Sequence, residues 1–182
     1  KHDGRTVKAF VVYPEAKTKT AAVIVVHEIF GLTDWARELA DEIAAAGSIA
    51  IVPDLLTEPG KETQSYPDQG AAIKAVSALQ TPQVMADLDA AADYVKKLPA
   101  CNGTISVAGF CWGGGRSFQY ANHNPGVAAA YVFYGTGPAS KAEAENIKCP
   151  VYGFYGEDDA RVGATIPATT EIMKSLGKNY QP

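Results

Sequence analysis

"SVAGFCWGGG", residues 106–115, runs from a β-like stretch straight into a cluster of glycines around one cysteine. A strand that turns sharply into a helix strains the residue between them and projects its side chain from the top of the sheet. Small residues two before and two after it keep neighbouring backbone clear, which gives the pattern G-x-nucleophile-x-G. The chain reads Gly109-Phe110-Cys111-Trp112-Gly113 at this point. A helix N-terminus favours the thiolate of Cys111, and the Trp112 N–H is suited to holding a developing oxyanion. Pattern alone leaves one alternative: glycines for close helix–sheet packing beside an inert buried thiol. Two phosphate-binding readings fail on spacing. There is no G-x-x-x-x-G-K-[ST], and Phe118 fills the last glycine position of a G-x-G-x-x-G register begun at Gly113.

Outward from that turn, strand and helix patterns alternate. "TVKAFVVY" (6–13) predicts a strand and "AAVIVVHE" (21–28) a continuous buried one. "TDWARELADEIAAAG" sets Trp35, Leu39 and Ile43 one helical turn apart, with Thr33 or Asp34 to cap its start and Gly47 its end. "SIAIVPD" (48–54) predicts a strand stopped by Pro53, and residues 57–69 a loop. Helices follow over 70–79 and 82–98, the second with Thr81 as N-cap and Pro82 at its first position. "TISVAG" (104–109) leads into the quoted turn, and 112–123 is the helix after it. "VAAAYVFY" (127–134) and "PVYGFYG" (150–156) are further strands, with a short helix over 140–146 between them. A last helix runs from Ile166 to Leu176, ended by Gly177. Strands separated by helices imply parallel pairing through right-handed crossovers, hence a single α/β domain over 1–182 with helices on both faces. A site in such a sheet belongs at the carboxyl ends of the strands, where Glu28, Asp54, Cys111, Tyr134 and Asp159 fall.

Composition narrows the partners. The formal net charge is −4 and no Lys/Arg-rich run occurs, which argues against a nucleic-acid or anionic-membrane partner. Apolar runs such as "AAVIVV" are strand-length, too short for a membrane span. Lys1 is not a native start, so the compartment stays open: cytoplasmic is the expectation, with export as the alternative. The three cysteines form no C-x-x-C pair and no zinc spacing, and their odd number argues against a disulfide framework. Cys101 and Cys149, each just ahead of a predicted strand, read as reduced structural thiols.

"HEIFGLTDWARELADEIAAAGSIAIVPDLL", "GFCWGGG" and "YGEDDARV", in that order across nearly the whole chain, resemble the dienelactone hydrolase (carboxymethylenebutenolidase) family of α/β-hydrolases. The resemblance implies a cysteine hydrolase of lactones or related esters, without metal or organic cofactor; a monomer or weak dimer is the expectation. Cys111 matches the family nucleophile, and Asp159 the triad acid within G-x-x-D-x-x-V, with Asp158 the neighbouring candidate. Glu28 matches the glutamate of E-I-F-G that faces the nucleophile, where it takes up the thiol proton or holds the thiol. The Ile29 N–H is the second oxyanion donor beside that of Trp112. In the family's strand order the strand at 127–134 separates those of Cys101 and Cys149. Two inter-strand steps give roughly 9.6 Å, beyond the roughly 7 Å limit for a disulfide.

The departure is the catalytic histidine, which the family carries on a loop after one more strand. His2 lies in a terminal tail and His123 at the far end of the helix from Cys111, roughly 18 Å away at 1.5 Å per residue. His27 precedes Glu28, so strand alternation turns it to the opposite face as a structural histidine. The expectation is that "NYQP" opens a further strand beside that of 150–155, with the histidine just after it and roughly 40 more residues in all. Substrate binding is expected from Trp35, Tyr134 and Arg161, with Arg37 and Arg116 the other arginines weighed and Trp112 a further aromatic to line an apolar pocket. A reading from another class keeps the same elbow for a thiol redox sensor or small-molecule binding protein without turnover.

Overall fold

The apolar runs assemble into one seven-stranded sheet. The structure, a computed structural model, describes residue 2 and residues 4–182. Its strands are β1 (Ala9–Val12), β2 (Thr20–Val26), β3 (Ile49–Pro53), β4 (Cys101–Phe110), β5 (Ala130–Phe133), β6 (Val151–Phe154) and β7 (Tyr180–Gln181). They lie in the order β1-β3-β2-β4-β5-β6-β7, antiparallel only between β1 and β3. The α-helices among the described residues are α1 (Asp34–Ala45), α2 (Gln69–Ala78), α3 (Thr81–Lys96), α4 (Trp112–His123), α5 (Ala160–Gly163) and α6 (Ile166–Ser175). None of the described helices is long and apolar enough to cross a membrane.

The amphipathic helices divide between the faces. On one, Leu88 of α3, Phe118 of α4 and Met173 of α6 pack with Ile24, Val107 and Val132 of the sheet. On the other, Ala36 and Ala40 of α1 cover Val25, Val52 and Ala108. Strand order reverses at β2, so a crevice opens at the carboxyl ends of β2 and β4, where ligands of such sheets bind. Val26 pairs with Gly109 there, and Gly109 with Val132. Glu28, Cys111 and Tyr134 each lie two residues beyond that row.

Several boundaries differ from expectation. β4 begins at Cys101, inside the strand rather than ahead of it, because Thr20 pairs with Cys101 across an irregularity in the β2–β4 ladder. Thr81 is the first helical residue of α3, not its cap; its hydroxyl accepts from Arg116 Nη1 at 2.7 Å instead. The helix expected over 140–146 is a single 3₁₀ turn at Lys141–Glu143. α5 was not foreseen, being one turn nucleated by the Asp159 side chain. The strand expected from "NYQP" forms as β7, parallel to β6, and β5 separates β4 from β6 as the family order implies.

Candidate active site

The turn between β4 and α4 holds Cys111 at φ 55° and ψ −116°, a positive-φ conformation that a residue with a Cβ seldom occupies. Two hydrogen bonds pin it: Cys111 N–H donates to Phe133 O and Gly114 N–H to Cys111 O, both at 3.0 Å. The flanking glycines leave no choice. A Cβ on Gly109 would sit 2.0 Å from Gly113 O, and one on Gly113 2.3 Å from Val26 O and 2.4 Å from His27 O. α4 therefore starts in backbone contact with the end of β2, and the thiol stands above the sheet.

Cys111 is half-buried in the wall of a cleft of about 440 Å³, lined also by Ile29, Trp112, Gly115, Arg116, Gln119, Tyr134, Thr136 and Arg161. Tyr134, next along the sheet, carries a second positive φ of 40°. Its hydroxyl donates to Glu28 Oε1 at 2.9 Å. Burial, the Glu28 hydrogen bond and the charges of Glu28 and Cys111 push the phenol upward, so it stays a proton donor. Glu28 is thus gripped by Tyr134. Arg116 lies over the Trp112 ring at 4.7 Å and donates to Thr81 and Gln119, which fixes its guanidinium along one wall.

Asp159 caps α5, accepting from Val162 N–H at 3.0 Å, and is half-buried, whereas Asp158 is exposed. Neither lines the cleft, although Arg161 of the same turn does. Trp35 stands apart from these residues. It meets the edge of Phe110 at 5.1 Å on the α1 side and is not among the cleft's lining residues. Arg37 also faces away, over Phe10 and near Asp34. Gln119 and Thr136 were not foreseen. Gln119 shares a helical face with Gly115 and Arg116, a spacing visible in the sequence once α4 is fixed.

Among the described residues, no histidine lines the cleft. His123 bonds Asp89 at 2.7 Å at the far end of α4, and His2, rather than trailing in a tail, reaches the buried Asp87 beside Arg5. That carboxylate faces a separate hollow of about 310 Å³ between β1 and α3, with its oxygens taken by Arg5 and His2. His27 is fully buried, and desolvation lowers its pKa, so the ring is neutral. Nδ1 lies 2.7 Å from Glu28 O, and Nε2 accepts from Leu55 N–H at 3.4 Å.

Known proteins resemble this chain in sequence and in fold. The family model described as "Dienelactone hydrolase family" matches residues 7–181. A Methylorubrum extorquens protein named "Putative carboxymethylenebutenolidase" is 34% identical over 86% of this chain and 57% of its own length. A Salmonella typhimurium protein of the same name is 31% identical over 87% of this chain and 63% of its own length. The chain therefore spans less than two thirds of these curated relatives. The crystal structure of a "Putative Dienelactone Hydrolase" from Klebsiella pneumoniae superposes with a TM-score of 0.85 at 30% identity, covering 98% of this chain and 79% of the other.

Proposed function

The chain belongs to the dienelactone hydrolase family, and from that premise we propose that it hydrolyses lactones or related carboxylic esters with Cys111 as nucleophile. The observation that carries this reading is the forced conformation of Cys111 between two glycines that admit no Cβ, with its thiol in a cleft. The Cys111 thiolate attacks the carbonyl carbon, and the oxyanion is received by the N–H groups of Ile29 and Trp112. Trp112 opens α4, so its N–H has no acceptor within its own helix. Collapse of the tetrahedral species breaks the C–O bond and leaves an acyl group on sulfur; the alkoxide departs with a proton, and water later releases the acid. Glu28, with one oxygen taken by Tyr134, has the other to receive the thiol proton.

The proton shuttle in this reading is a histidine downstream of Pro182, oriented by Asp159. Arg161 and Tyr134 contact substrate in the cleft. The test is the burst of 4-nitrophenolate from 4-nitrophenyl acetate. A burst stoichiometric with protein, absent in Cys111→Ala, supports the nucleophile. Peroxide-dependent oxidation of Cys111 with no burst would replace the hydrolase reading with a thiol sensor.

A further inference from the structure

The Glu28–Ile29 peptide is one planar unit whose carbonyl and amide point in opposite directions, since the described chain holds no cis peptide. Its carbonyl oxygen is bound twice on the inner side, by the His27 ring at 2.7 Å and by Gly31 N–H at 3.2 Å. His27 is fully buried, so that side of the peptide faces the interior, while Ile29 lines the cleft. Leu55 N–H donates to Nε2, which requires Nε2 to be bare and the single proton of the neutral ring to be on Nδ1. The same ring stacks on Trp112 at 5.9 Å and 14°. One side chain thus touches both segments assigned as oxyanion donors.

We propose that His27 is a positioning residue, a neutral Nδ1–H imidazole that aims the Ile29 N–H into the cleft by holding the carbonyl of the same peptide and buttressing Trp112. The inference rests on the oxyanion role given to Ile29 and Trp112 above. Among the described residues, no other side chain hydrogen-bonds the Glu28 carbonyl.

Two variants separate aiming from packing. In His27→Asn the amide nitrogen falls where Nδ1 was and keeps the bond to Glu28 O, but Leu55 N–H loses its partner. In His27→Gln the side-chain end falls where Nε2 was, and the donor to Glu28 O is lost. Acylation of Cys111 by 4-nitrophenyl acetate, alkylation by iodoacetamide and thermal midpoint are measured on each. Misaiming one oxyanion donor slows acylation in His27→Gln by about tenfold or more, while His27→Asn stays within about threefold of the parent. Alkylation, which forms no oxyanion, stays unchanged in both. Equal loss of acylation in the two variants, or loss that tracks the thermal midpoint, overturns the proposal. Long-range ¹H–¹⁵N spectra of the unsubstituted protein test it whatever the variants' folding: Nδ1 protonated at neutral pH is expected, and an Nε2–H ring or an imidazolium overturns it. A parent protein that is never acylated would instead sink the nucleophile reading, with the tautomer still deciding this one.

Discussion

The two ends of the parallel sheet hold the same residue type in opposite circumstances. At the carboxyl end Cys111 is half-buried in a cleft wall, and Cys111 and Tyr134 are the non-glycine residues with positive φ among those described. At the amino end Cys101 is 4% exposed and Cys149 7%, both packed into the main core with ordinary backbone. Strain of this kind costs about 1–3 kcal/mol per residue and persists only where the surroundings over-determine it. Here those surroundings are the glycine contacts of α4 and the β4–β5 ladder. The amino end stabilises the fold; the carboxyl end gives up part of that stability in presenting a thiol and a phenol to one cleft.

The largest expected effect comes from adding one carbon at the strained end. Gly113→Ala places its Cβ against two backbone oxygens and lowers stability by about 3 kcal/mol in chemical denaturation. Gly115→Ala, two residues on, meets its nearest heavy atom at 3.5 Å and gains up to about 1 kcal/mol of helix propensity instead. Equal effects at the two positions would dissolve the contrast.

Next in size is thiol reactivity. Burial pushes the Cys149 thiol upward, and access to Cys101 and Cys149 needs local opening, so iodoacetamide labels Cys111 about a hundredfold faster than either. Peptide mapping of a time course checks this, and preferential labelling at the amino end would reverse it.

A smaller effect is carried by His27, whose pKa burial lowers from the ordinary 6.5. The unfolded chain takes up a proton there that the folded state refuses. Stability is therefore held above pH 6.5 and lost as pH falls toward the depressed folded value, by up to about 1.4 kcal/mol per pH unit. Denaturation from pH 7 to pH 5 shows the slope in the parent and a shallower one in His27→Gln; identical slopes would place the loss elsewhere. Smallest is Tyr134→Phe, which frees Glu28 Oε1 and costs about 1 kcal/mol.

Local chemistry was legible in the sequence wherever neighbours along the chain decide it. α4 occupies the predicted 112–123 because the glycine pattern and the strand before it admit one geometry. The row Glu28, Cys111, Tyr134 follows from knowing where parallel strands end. What escaped depends on which elements meet. Trp35 was assigned to the pocket on aromatic character alone, yet helical spacing does not reveal which sheet face α1 covers. The sequence favours Arg161 as the substrate arginine, yet Arg116 lines the cleft as well, held there by its stacking on Trp112 and its bond to Thr81 of α3. α5 escaped because a single turn has no periodicity, only the Asp159 cap.

The central claim is that the strained cysteine is the residue that takes the acyl group. The direct measurement is intact and peptide mass spectrometry of the protein quenched in acid within the burst phase of 4-nitrophenyl acetate cleavage. One acetyl group per chain is expected, located on Cys111 and absent from Cys111→Ala. Acetylation elsewhere, or a burst that survives Cys111→Ala, would contradict it.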